Sequence, residues 1–223
     1  MKRRKLTGDF KWIYSHISSE IYMQQYTKGY VTFAVCGCSQ QSGSLTVSEE
    51  LGVHMAEMGR KTLLINADLY GEERRTFQNG KIRSQGFADF INGTASVKDI
   101  LSGPYQDNFY YIGRGKIETD VKEQLLCSQR GETLFSSLRN DFDIIILHTP
   151  SLTSPASGRI LCRFADAAIF IAAAGRTRKS QLEAAKHWMD ELNVPVAGMI
   201  ATRGKKTLWN QFSRRFDKNA LIV

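Results

Sequence analysis

Between Tyr30 and Arg75 the chain passes from an apolar run through a Gly/Ser-rich turn to a helical pattern, then to a second apolar run ending on an acid. YVTFAV (Tyr30–Val35) has the length and β-branched content of a buried strand, and CGCSQQSGS (Cys36–Ser44) is a turn. Residues 45–58 carry helical spacing that stops at Gly59, and KTLLINAD (Lys61–Asp68) is a second buried strand. A buried strand, a short turn and a helix whose first N–H groups face that turn make the frame of a phosphate-binding site.

The rest of the chain repeats the alternation. Asp9–Tyr26 places Phe10, Ile13, Tyr14, Ile17 and Ile21 on one helical stripe, ended by Lys28-Gly29. Tyr70–Gln85 is polar and is expected as an exposed loop. Residues 86–101 form two short helices broken at Asn92-Gly93, and residues 108–112 a short strand. Residues 118–140 are helical, with Leu125, Leu126, Leu134, Phe135 and Leu138 as core candidates. DIIIL (Asp143–Leu147), AAIFIA (Ala167–Ala172) and VAGMIA (Val196–Ala201) are buried strands, with helices expected at 157–164 and 177–192. This pattern predicts an α/β domain: a doubly wound, mostly parallel sheet with helices on both faces. Its expected limits are a basic arm and helix over 1–28, the α/β domain over 29–204, and a basic amphipathic helical tail over 205–223. The turn after the first strand, Asn66 with Asp68, and His148 then fall at the C-terminal ends of parallel strands, where ligands of such sheets bind.

The 30 Lys and Arg against 22 Asp and Glu give a formal charge of +8. That is compatible with an anionic membrane surface or an acidic partner. The chain carries no aromatic-basic stacking surface or reading motif, so no nucleic acid is expected. The four cysteines, at 36, 38, 127 and 162, form no secreted framework, which favours a reducing compartment. No apolar run approaches the roughly 18–20 residues of a membrane span, and MKRRKLTGDF lacks the apolar core of a signal peptide. The expected location is cytoplasmic, and any hold on a membrane has to come from something other than a span in this sequence.

Five segments in order resemble the cytoplasmic domain of bacterial tyrosine kinases of capsular and exopolysaccharide systems, a family within the P-loop ATPases that include septum-site and partition ATPases. RKTLLINADL is similar to the family's second Walker segment, and GFADFINGTASVKDIL to its Gly-Leu-x-Asp-x-Leu-x-Gly helix. FDIIILHTPS resembles the Walker B strand, RFADAAIFIAAAGRTR the strand and loop after it, and VPVAGMIATR the final strand. The resemblance implies a P-loop NTPase-like fold and a role in polysaccharide biosynthesis or export. It also implies a membrane chain-length-determinant or co-polymerase protein as partner, which would place the chain in the cytoplasm, peripheral at the inner face of the cell membrane, with a homo-oligomer as a further expectation.

The residues of the chemistry depart from the family. A P-loop of the form G-x-x-x-x-G-K-[ST] uses Lys on the β/γ-phosphates and Ser/Thr on Mg²⁺. Aligned on Gly43, those positions are Ser44 and Leu45, and no lysine occurs between Lys28 and Lys61. Another turn glycine of the family is Gln41 here, and the first acid of the second Walker segment is Asn66, although Asp68 is retained. The Walker B acid is His148, a poor Mg²⁺ ligand, and the family's base-side Asn is Thr202, followed by Arg203. The vestigial loop comprises Cys38, Ser39, Gln40, Gln41, Ser42, Gly43, Ser44, Leu45 and Thr46. The family's N-terminal assembly motif corresponds to Gly8, Lys11 and Tyr14, and the tail GKKTLWNQFSRRFDKNALIV contains no tyrosine to accept phosphate.

These substitutions imply a pseudokinase, a regulatory subunit with no metal, no catalytic residues and at most vestigial ATP or ADP binding. The alternatives are a divergent active kinase or ATPase with Asp68 as its remaining metal ligand, and a partition- or placement-type regulatory ATPase. Cys36, Cys38 and His148 share one sheet edge and admit a metal site or a Cys–His pair. The residue types equally suit small thiols at a strand end and a histidine filling the space of the lost metal. In the tail, Leu208, Trp209, Phe212 and Phe216 fall on one helical face among Lys205, Lys206, Arg214 and Arg215, which suits an anionic membrane or an ordinary packed helix.

Overall fold

The computed structural model describes residues 8–71, 76–77, 80–105, 108–116, 126–153, 157–202 and 220–222, with side chains of 8–12, 76–80 and 220–222 left aside. In chain order the elements are α1 (Gly8–Lys28), β1 (Thr32–Gly37), α2 (Ser44–Glu57), β2 (Thr62–Asn66), β3 (Thr76–Phe77) and β4 (Gly80–Lys81). There follow α3 (Phe87–Ile91), α4 (Val97–Ile100), β5 (Leu101–Tyr105), β6 (Phe109–Ile112), α5 (Gln129–Asp141) and β7 (Ile144–Thr149). The last are α6 (Ser157–Cys162), β8 (Ala167–Ala173), α7 (Lys179–Glu191), β9 (Val196–Thr202) and β10 (Ala220–Ile222).

Eight strands form one sheet in the order β10-β9-β8-β1-β7-β2-β6-β5, parallel except for the β5–β6 pair. Successive residues alternate between its faces, as a strand requires. Phe33, Val35, Leu64, Ile144, Ile146, Ile169 and Ile171 point to the side covered by α1 and α2. Leu63, Ile65, Ile145 and Leu147 meet α3 and α5 on the other side, where Ala34, Cys36, Ala168 and Phe170 meet α6 and α7. Both faces being covered, these strands are apolar along their middles, with polar residues kept to their ends. Each fully buried Leu, Ile or Phe contributes roughly 1.5–3 kcal/mol. The entry to β1 is pinned by Asp166, whose Oδ2 accepts the backbone N–H groups of Val31 and Thr32 at 2.8 Å each. Arg139 Nη1 donates to the same carboxylate at 2.9 Å.

From β1 the chain crosses by α2 to β2 on one side of the sheet, and from β8 it crosses by α7 to β9 on the other. The β1–β8 junction is therefore the switch point, and the loop after β1 lies over it. Register places Val35 beside His148 and His148 beside Asn66, so three strand ends converge under that loop.

The expected doubly wound fold is the one observed, with differences at its margins. β1 runs on through Cys36 and Gly37, two residues that sequence assigns to the turn. β5 was not anticipated, because its Gly103-Pro104 pair signals a turn; as an edge strand it tolerates proline. The polar stretch 70–85 contains the short antiparallel pair β3–β4. Ala220–Ile222, expected as the end of a helical tail, instead pairs in parallel with β9 as an edge strand, in keeping with the apolar, β-branched end of ALIV. Leu126, Leu134, Phe135 and Leu138 are buried as expected, whereas Leu125 lies outside the described residues.

Candidate functional site

The loop from Gly37 to Ser44 is built by close backbone approach. A Cβ on Gly37 would lie 2.5 Å from Ser42 Oγ and 3.1 Å from the Ser39 carbonyl oxygen, so only glycine lets the loop fold back there. The chain re-enters the helix through Gln41 and Gly43, both with positive φ, and Gly43 is the N-cap of α2 with no side-chain capping bond. The first intrahelical bond runs from Val47 N–H to the Gly43 carbonyl, so the N–H groups of Ser44, Leu45 and Thr46 precede it.

Three contacts hold the loop to neighbouring strand ends. Cys38 N–H donates to the Ile171 carbonyl at 2.9 Å. Ser39 Oγ meets Thr177 Oγ1 at 2.7 Å, and Thr177 Oγ1 accepts the Ala173 N–H at 2.9 Å. Thr202 Oγ1 donates to the Ser42 carbonyl at 2.6 Å, so the residue expected on the base side is bonded to the loop itself. Gln40, Gln41 and Thr46 are exposed, while Ser44 and Leu45 are half-buried.

Beneath the loop lies a chain of three side chains. Asn66 Oδ1 accepts the Asp68 N–H at 3.2 Å, which fixes that atom as an acceptor. His148 Nδ1 lies 3.0 Å from the same oxygen and is therefore the protonated ring nitrogen. Nε2 is then the acceptor, and the Ser44 hydroxyl donates to it at 3.1 Å. His148 is only 3% exposed, and burial pushes its pKa down to about 3, so the ring is neutral across the physiological range.

Asp68, the retained acid, is half-buried. Burial raises its pKa, opposed by the N–H groups of Tyr70 and Gly71 and by the charge of Arg114. Tyr70 N–H donates to its Oδ1 at 3.2 Å, and Arg114 Nη1 donates to the Gly71 carbonyl at 2.6 Å. Sequence gave no sign of Arg114 here, since it follows a strand that matched no motif.

Ser44, Asn66 and His148 were each singled out as departures from a motif, and the structure brings all three into contact. The cysteines lie elsewhere. Cys36 and Cys38 join the cluster on the α6–α7 side, opposite the face bearing His148, and Cys36 Sγ lies 3.3 Å from Cys162 Sγ. The period of two along β1 separates thiols from imidazole, and the metal or Cys–His site admitted by sequence is not formed. Among the described residues no group of three His, Cys, Asp or Glu side chains could hold a metal ion. Tyr14 of the stretch matching the assembly motif is 3% exposed and packs under α2. Arg203 and residues 205–219 lie outside the described residues. Among the described helices none is long and apolar enough to cross a membrane.

An eight-stranded, mostly parallel sheet with a glycine-turned loop leading into a helix at the switch point is the architecture of the P-loop NTPases. The solved structures agree. The chimerical protein CapA2B2 matches with a TM-score of 0.77 at 16% identity, over 86% of this chain and 84% of that one. The kinase domain of the Escherichia coli tyrosine kinase ETK matches with a TM-score of 0.76 at 18% identity, over 88% of this chain and 78% of that one. Cobyrinic acid a,c-diamide synthase from Mycobacterium smegmatis, solved with bound ADP and magnesium, has a TM-score of 0.66 at 17% identity, over 84% and 83% of the two chains. No family model matches the sequence. Among its homologues are bacterial tyrosine-protein kinases. The tyrosine-protein kinase CpsD of Streptococcus agalactiae serotype III is 25% identical over 174 residues, 76% of this chain and 73% of the relative. The putative tyrosine-protein kinase CapB of Staphylococcus aureus is 22% identical over 165 residues, 73% and 70% of the two.

Proposed function

We propose that this protein is a kinase-like regulatory subunit of a polysaccharide biosynthesis or export system that does not itself transfer phosphoryl groups. It acts at the cytoplasmic face of the membrane through a chain-length-determinant or co-polymerase protein. The observation that carries this reading is the Ser44–His148–Asn66 chain of hydrogen bonds. Phosphoryl transfer needs a cation on the phosphates and acids to hold Mg²⁺. Here the position of the cation is a serine bonded to a buried, neutral imidazole, and the positions of two acids are that imidazole and the amide bonded to it. These groups do not fit Mg²⁺–ATP, and no phosphoryl step is derived through it. Of the positions where the family pattern has an acid, Asp68 keeps a carboxylate, and it is engaged in the turn that follows β2.

The homologues supply the biological setting, since they are tyrosine kinases and one is described as lying in a cps region. A folded P-loop domain without the reaction still offers the surface a membrane partner would recognise. The test has two arms. Purification of the tagged full chain from its native membranes should recover a polysaccharide-assembly membrane protein, and incubation with Mg²⁺–ATP should give no phosphotyrosine on that protein or on the chain. Recovery of no such partner, or phosphotyrosine that vanishes in Asp68→Ala, overturns the reading.

A further inference from the structure

We propose that Ser44 is a nucleophile for acyl transfer from neutral carboxylic esters, with His148 as its base and Asn66 as the residue that positions the imidazole. This goes beyond the regulatory reading, because it concerns a different reaction at the same loop. The order of donors carries the inference. Asp68 N–H fixes Asn66 Oδ1 as an acceptor, Asn66 fixes His148 with its proton on Nδ1, and Nε2 is left to accept the Ser44 hydroxyl proton. A hydroxyl on an imidazole nitrogen, with the other nitrogen held by a third group, is the arrangement that activates serine in unrelated folds.

Two further features suit an acyl group. Ser44 opens α2 and is half-buried, so its hydroxyl borders the loop while His148 is enclosed. The N–H groups of Leu45 and Thr46 precede the first intrahelical bond, which makes them donors for a developing oxyanion. A neutral carbonyl also asks nothing of the cation and metal that phosphoryl transfer needs.

In the reaction Ser44 Oγ forms a bond to the carbonyl carbon as its proton passes to His148 Nε2. The bond from that carbon to the alcohol oxygen then breaks, and Nε2 returns the proton to the departing alkoxide. The products are O-acyl Ser44 and an alcohol. Water attacking the same carbon, with Nε2 again taking and returning the proton, regenerates the serine and releases the acid. Burial disfavours the imidazolium that this step forms, and Asn66 bears no charge to stabilise it, so acylation is slow and turnover slower.

The test incubates the full chain with p-nitrophenyl acetate and locates the acetyl group by peptide mass spectrometry. Acetyl is expected on Ser44, with labelling roughly 100-fold slower in His148→Gln and none at that peptide in Ser44→Ala. Asn66→Asp is expected to label several-fold faster. Because the added carboxylate raises the proton affinity of the ring, its rate should fall below neutral pH, where the wild-type rate stays flat. This rescue-type variant and its pH profile decide the matter if His148→Gln fails to fold. Acetylation of Ser44 at equal rates in wild type, His148→Gln and Asn66→Asp, or acetylation confined to lysines, overturns the proposal. Nucleotide binding is read separately, so either reading can fail without the other.

Discussion

Replacing His148 by glutamine should change the pH dependence of stability in a calculable way. Burial takes the imidazole from its ordinary 6.5 down to about 3, whereas the unfolded chain restores the ordinary value. Between those values the unfolded state binds more protons than the folded state, so stability falls as pH falls. The contribution is fully present above roughly pH 6.5 and is lost progressively toward pH 3. At about 1.4 kcal/mol for each tenfold change in proton affinity, the fall from 6.5 to about 3 sets a ceiling of about 5 kcal/mol. At pH 5 the loss should be about 2 kcal/mol. Urea unfolding of wild type and His148→Gln at several pH values measures it, and carboxylates common to both proteins cancel in the difference. The gap between the two should shrink by about 1.4 kcal/mol for each pH unit between roughly 6 and 4. A gap that stays constant would mean that His148 is hydrated or already protonated, and the neutral Ser44–His148–Asn66 chain would be wrong.

Gly37→Ala places a Cβ 2.5 Å from Ser42 Oγ, on a buried serine, and 3.1 Å from the Ser39 carbonyl oxygen, which is backbone. Thermal unfolding should show a loss of about 1–3 kcal/mol. Thr202→Val removes the 2.6 Å bond to the Ser42 carbonyl, at a cost of about 1 kcal/mol, and should speed hydrogen exchange in residues 38–44 relative to β1. On the proposed reading, combining Ser44→Lys, Leu45→Thr, Asn66→Asp and His148→Asp supplies the charges and hydroxyl that the P-loop pattern carries. Calorimetry should then detect Mg²⁺-dependent ATP binding tighter by about 100-fold, equivalent to about 3 kcal/mol.

The central strands were legible because they are buried on both faces. TFAV, TLLIN, IIIL and AAIFIA leave periodicity and composition no other reading than strands enclosed by helices. Helix ends were legible where glycine stopped them, as at Gly59. Edges were not, because β5 contains a proline and β10 follows a basic stretch whose composition favours a helix or loop. At the site, sequence identified Ser44, Asn66 and His148 as departures at one phosphate site, yet not that the three side chains bond to one another. Their contact depends on parallel register, which aligns Asn66 with His148, and on the helix start, which puts Ser44 above both. Register across three strands is a tertiary property and leaves no local trace. The same limit explains the cysteines, since a single position along β1 decides which face a side chain joins.

The most direct test of the account is calorimetric titration of ATP into the purified full chain, with Mg²⁺ and with a chelator in its place. On the proposed reading, in which a serine, a neutral histidine and an asparagine stand where the family pattern has a cation and two acids, the two titrations should coincide, with any dissociation constant at about 1 mM or weaker. Binding in the micromolar range that requires Mg²⁺ and is lost in Asp68→Ala would contradict it.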